Sequence, residues 1–227
     1  MNFVRPSPRH LLVFYLLLFL VGMAHEAGHL VVGWFACHDF VGVGFNVVQW
    51  PEGCAADSTL AHWSAAAGPL VTYAFLFAGA WLALSGRRAT LGAALVLANL
   101  PFARVFTAAY GGGDEVGLGR ELLGAPLGRW LAFAVVLLLC ATPVIAVVRR
   151  VPALRRPLVL VAWLILPMLA DFLIRLRVLD AALARLSMPT WLGVSAFVWT
   201  VTALALGAYL WLGGLRSLTP RASAGGA

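Results

Sequence analysis

The chain has 227 residues, 62% of them hydrophobic and only 11% charged, with a mean hydropathy of +0.93. A soluble domain is nearer half apolar and a quarter charged, so the composition excludes a soluble enzyme and the length excludes a membrane bundle with a large soluble domain attached. The net charge of +7 comes from sixteen arginines and no lysine. They cluster between apolar runs, where orientation in the bilayer and anionic headgroups account for them better than nucleic acid does, so no nucleic-acid partner is expected.

About 20 apolar residues cross a bilayer, and six runs reach or approach that length: 11–36, 64–85, 89–109, 129–148, 158–174 and 191–213. Arg5 and Arg9 followed by the first run resemble a signal peptide. Cleavage near Ala24 or Ala27 would cut into the polar motif described below, so an uncleaved first span is expected. Residues 37–63 form a different kind of connection. Its stretch 41–50 is β-branched and glycine-rich and ends at Pro51-Glu52-Gly53, which predicts a short membrane-associated strand or hairpin, with an irregular loop as the alternative. Cys37 and Cys54 flank it, Cys140 lies in an apolar run, and no CxxC occurs. A cysteine zinc site is therefore not expected, and a Cys37–Cys54 disulfide requires that this connection be extracytoplasmic.

The third run is broken by Pro101 and carries Arg104. The fifth contains Pro167 and Asp171, with Arg175 four residues on. That spacing predicts an Asp171–Arg175 pair, and an acid at membrane depth is also a site candidate in its own right. Residues 219–227 are small and polar and predict a disordered tail. The expected fold is an all-α polytopic membrane protein of about six transmembrane helices, with a short β-segment after the first. Its expected divisions are a core at 1–115, three additional helices at 116–218 and the tail. Ten arginines (5, 9, 87, 88, 149, 150, 155, 156, 216, 221) fall on one side of such a layout and five (120, 129, 175, 177, 185) on the other. Both termini are then expected in the cytoplasm.

Within the first run stands His25-Glu26-Ala27-Gly28-His29. Two imidazoles and a carboxylate at membrane depth cost a few kcal/mol or more, and such residues are retained where they bind something. On a helix, positions i and i+4 share a face, so His25 and His29 can reach one metal ion. Glu26 lies about 100° round from His25, placed to act on a metal-bound water. A catalytic zinc usually has three protein ligands and one open position. The strongest third candidate is Asp114 in Tyr110-Gly-Gly-Gly-Asp-Glu115. It ends a span parallel to the first, on the side toward which the motif is displaced, and its glycines permit close approach to a metal. Glu115 and His62 are the alternatives.

These residues resemble the site-2 protease family of intramembrane zinc metalloproteases. His25-Glu26-Ala27-Gly28-His29 is similar to that family's HExGH-type motif, and Ala67-Gly68-Pro69-Leu70 to the start of its next core helix. Asn99-Leu100-Pro101 followed by Gly113-Asp114 is similar to the Asn/Pro-then-Asp motif of its third core helix. The match covers residues 11–115. The interval from Asn99 to Asp114 is longer than in better-known members, and Glu115 stands where they have glycine. The resemblance implies that His25, His29 and Asp114 bind Zn²⁺, that Glu26 is the base, and that Asn99 helps hold an extended substrate segment. The implied activity is hydrolysis of peptide bonds in membrane-embedded protein substrates, in a lipid bilayer that is expected to be a bacterial cell membrane. The alternative is a catalytically inactive relative acting as a metal-binding scaffold or transporter.

Overall fold

Hydrocarbon offers no hydrogen-bond partners, so apolar runs close their own backbone bonds as helices. The computed structural model describes residues 1–37, 42–46, 48–49, 59–86 and 88–218. The first run becomes α1 (Pro8–Cys37) and the second α2 (Thr59–Leu84). The third is a path of three short helices: α3 (Ala89–Ala98), α4 (Pro101–Tyr110) and α5 (Asp114–Leu123). After α6 (Leu127–Arg150), α7 (Pro157–Asp171) runs through a π-helical stretch (Phe172–Leu179) into α8 (Asp180–Arg185). The described chain ends with α9 (Ala196–Trp211) and a last turn, α10 (Gly214–Ser217). Among the described residues, five stretches are long and apolar enough to cross a membrane: Pro8–Cys37, His62–Leu84, Ala89–Leu123, Leu127–Arg150 and Pro157–Arg185. The architecture is that of an all-α membrane protein.

The third stretch is broken twice, for different reasons. Proline lacks an N–H and excludes the helical region for the residue before it. Leu100 accordingly turns to φ +51°, ψ 51°, and Pro101 opens α4. A non-glycine residue in that left-handed region costs about 1–2 kcal/mol, which the enclosing pack of helices sustains. The second break uses Gly111 and Gly113, at φ +86° and +90°, and sets Asp114 at the start of α5. The helix between the first break and α2 is the most enclosed: seven of the ten residues of α3 are buried. Against it and α2, α1 buries Val13, Phe14, Leu17, Leu18 and Val21. The Phe14 ring meets Trp163 edge-on at 4.9 Å, and Trp163 Nε1 donates to Phe3 O at 2.8 Å. The outer surface stays apolar, with Trp81, Leu158 and Trp211 largely exposed.

The run expected to span from 191 to 213 begins otherwise. Thr190–Trp191 and Val194–Ser195 are strands β3 and β4 of a hairpin, and helix starts only at Ala196. Leu192 and Gly193 both have positive φ, +53° and +74°, the backbone required at both central residues of the two-residue turn that matches strand twist. Ser195 Oγ then caps α9 by accepting from Phe197 N at 3.3 Å. In the first connection, Gly42–Val43 (β1) pairs antiparallel with Val48–Gln49 (β2). The two hairpins join through a parallel pairing of Val43 with Val194, giving strand order β2-β1-β4-β3. Val43, Phe45, Val194 and Val198 bury beneath the sheet, and Asp180 Oδ1 accepts from Phe45 N at 3.3 Å. Cys37 is disulfide-bonded and Cys140 free. Cys54, with all of 50–58, and the tail 219–227 lie outside the described residues.

Candidate metal centre

The site starts from the helical spacing of α1. His25 and His29 stand one turn apart with ring centroids 4.7 Å apart and edge-to-face, and their Nε2 atoms are separated by 3.1 Å. The glycine break before α5 delivers the third group. Asp114 Oδ2 lies 3.2 Å from His25 Nε2 and 3.6 Å from His29 Nε2. A triangle with those edges has one point about 1.9 Å from all three atoms, close to the 2.0–2.2 Å of zinc bonds to nitrogen and carboxylate oxygen. Two neutral imidazoles and a carboxylate form a donor set suited to a divalent transition metal with an open position.

The alternatives for the third ligand are engaged elsewhere. Glu115 Oε1 accepts from Arg104 Nη1 at 2.6 Å and from Tyr73 OH at 2.8 Å. His62 Nε2 lies 3.3 Å from Glu121 Oε2.

Helix α2 orients both imidazoles, which decides which ring nitrogen would face an ion held there. His29 Nδ1 donates to Ser64 O at 2.7 Å, and Ser64 Oγ donates back to His29 O at 3.0 Å. One turn on, Gly68 leaves the space that the His29 ring fills; a Cβ there would collide with the imidazole. Another turn on, Thr72 Oγ1 lies 3.0 Å from His25 Nδ1. Arg104 Nη2 is 2.9 Å from the same Oγ1 and 2.8 Å from His25 Nδ1. A guanidinium only donates, so two proton arrangements fit these distances. With Arg104 donating to Nδ1, the ring carries its proton on Nε2, facing Asp114. Metal binding at Nε2 requires the proton on Nδ1, and Thr72 Oγ1 is then its acceptor.

These groups open onto a cavity of about 920 Å³, lined also by Glu26, Asn99, Asp171 and Arg175. Glu26 is 4% exposed, and no hydrogen bond or ion pair holds its carboxylate among the described residues. Asn99 closes α3; its Nδ2 donates to Leu95 O at 2.8 Å and its Oδ1 has no partner among the described residues. Asn46, between β1 and β2, also lines the cavity, so the first hairpin reaches its rim.

The sequence points to His25, Glu26, His29, Asp114 and Asn99, and the structure brings all five to one cavity. Missed were Ser64, Thr72 and the place of Arg175 on the cavity wall, whereas Asp171, a site candidate in the sequence, lines the same cavity. A signal for the first two existed: Ser64, Gly68 and Thr72 recur every fourth residue, one polar or small stripe on an otherwise apolar helix. Comparison with protein-family models, curated proteins and solved structures finds no match.

Proposed function

We propose that this chain is a zinc-dependent intramembrane endopeptidase. The observation that carries the reading is the convergence of His25 Nε2, His29 Nε2 and Asp114 Oδ2 in the cavity that the Glu26 side chain also lines. Bound there, Zn²⁺ would act as a Lewis acid and lower the pKa of a coordinated water to about 7. Glu26 is placed to take a proton from the water whose oxygen would add to the scissile carbonyl carbon, and to return that proton to the amine as the C–N bond breaks. For each Nε2 to be a ligand the imidazole protons must sit on Nδ1, where Ser64 O would accept from His29 and Thr72 Oγ1 from His25. The enclosing helices limit bulk water, which strengthens each electrostatic contact in the cavity.

The substrate class is a membrane-embedded protein segment. Its scissile peptide bond is shielded while helical, so the segment must unwind. The outer edge of β2, at the end of the sheet order, offers main-chain groups for an added strand, and Asn99 would steady the extended chain inside.

The layout is best read as six spans with both termini cytoplasmic, in a bacterial cell membrane. The pairing of β1 with β4 puts the first and fifth connections on one side, which alternating spans satisfy whether they number five or six. One feature beyond the arginine distribution favours cytoplasmic termini. A disulfide at Cys37 suits an oxidising compartment.

The test is metal analysis of the purified protein together with comparative proteomics of cells carrying wild type or Glu26→Gln. The expected result is bound zinc in both and single-span proteins accumulating in the variant. Zinc with no accumulating substrate, and a cell phenotype untouched by Glu26→Gln, would favour the inactive metal-binding scaffold or transporter.

A further inference from the structure

A second charged constellation faces the same cavity and takes no part in the metal centre. Arg175 Nη2 donates to Asp171 Oδ2 at 2.9 Å, and both side chains are largely buried, 12% and 8% exposed. Both line the cavity with Glu26 and the metal triad. A guanidinium has five N–H donors, and among the described residues only this one is used. Nε is buried without a partner, and Nη1 makes no hydrogen bond.

Two features of the backbone make room for the group. Gly22, one helical turn before Glu26, leaves its space to the guanidinium; a Cβ there would stand 2.5 Å from Arg175 Nη1. Arg175 also lies in the π-helical stretch Phe172–Leu179. One extra residue per turn re-aims side chains, and such bulges gather at functional positions. A charged pair serving only to pack α7 would need neither a cleared notch beside the base nor unfilled donors at membrane depth, where each missing bond is costly.

Resting on the peptidase reading, we infer that Arg175 is a substrate-binding residue: its free N–H groups donate to a main-chain carbonyl of the extended substrate beside the scissile bond. An unwound segment in a membrane cavity has carbonyls that have lost their helical partners and must find donors. Asn99 offers the complementary atom, since its partnerless Oδ1 can accept a main-chain N–H. Asp171 already balances the guanidinium charge, so a neutral carbonyl fits the pair, while a substrate carboxylate would add an uncompensated buried charge.

The probe is a succinyl-hydroxamate dipeptide, which chelates zinc and extends two carbonyls along the substrate path, made with either an N-methylamide or a free carboxylate end. Its dissociation constant is measured in detergent micelles on zinc-loaded wild type, Arg175→Gln, Arg175→Lys and the double variant Asp171→Asn/Arg175→Gln. The double variant removes both charges, so the protein folds without an orphaned carboxylate. The expected result is that Arg175→Gln and the double variant bind the amide-ended probe about tenfold or more weakly, the worth of a hydrogen bond from a charged donor, with zinc content unchanged and partial rescue by Arg175→Lys. Equal binding of the amide-ended probe by wild type and the double variant overturns the inference while leaving the peptidase reading in place. A loss confined to the carboxylate-ended probe overturns the carbonyl assignment. Failure of zinc-loaded wild type to bind either probe overturns both readings.

Discussion

Two polar groupings share one cavity and are built on different plans. The His25–His29–Asp114 centre is braced from three directions: α1 supplies two groups, α5 the third, and Ser64 and Thr72 of α2 fix the rings. The Asp171–Arg175 pair is local, an i,i+4 contact on one helical path, with no side-chain bond to another element among the described residues. Cross-bracing suits a metal, whose ligands must hold their geometry before the ion arrives. A local pair on a π-helical stretch suits a group that meets a variable, entering chain. The contrast teaches that burial and charge alone do not distinguish a rigid centre from an adaptable wall; the origin of the restraints does.

On the proposed peptidase reading, removing a metal ligand should have the largest effect. Asp114→Ala or His29→Ala leaves two protein ligands, and the purified protein is expected to lose its zinc and all cleavage, read by metal analysis beside a substrate-accumulation assay. Stoichiometric zinc in Asp114→Ala would show that another residue completes the site. Next comes the base: Glu26→Gln should keep zinc and lower cleavage by about 10²–10⁴-fold, the range of general acid–base catalysis. Cleavage at the wild-type rate would remove Glu26 from the mechanism.

The bracing itself can be broken more gently. Thr72→Val deletes the acceptor for the His25 Nδ1 proton and is expected to weaken zinc binding by about 10–100-fold, with Thr72→Ser restoring it; chelator competition gives the constants. The smallest effect should come from the other wall. Asp171→Asn/Arg175→Gln removes a buried pair whole, which is often neutral for stability. Its zinc content should match wild type and its thermal midpoint stay within about 3 °C. A collapse of zinc binding in that double variant would mean that the two groupings form one unit after all.

Much of the centre was legible because its strongest part is local. Four residues of helix fix where His29 stands relative to His25, and no tertiary contact is needed to know it. The pairing of Asp171 with Arg175 was readable for the same reason. Proline and glycine marked the interruptions at Leu100–Pro101 and Gly111–Gly113, although not how they aim the chain. The start of the sixth run was misread. Trp191-Leu192-Gly193-Val194 is as apolar as a helix, and Leu192 supplies the positive φ usually signalled by Asn or Asp. Its strand exists because β1 is there to pair with it.

Composition and backbone period were enough to set the membrane class of the chain, the runs that become helices, and the two imidazoles and carboxylate on one turn of α1. Each depends on composition or on a period set by the backbone. Helix packing set which acid reaches the imidazoles, that Glu115 turns instead to Arg104 and Tyr73, that α2 places Ser64 and Thr72 against the two rings, and that the Arg175 guanidinium fills the space at Gly22. Those choices depend on how α2, the two breaks of the third stretch and the π-helical stretch aim side chains that are distant from the motif in sequence. No local period encodes that direction, which is settled by packing of the helices against one another.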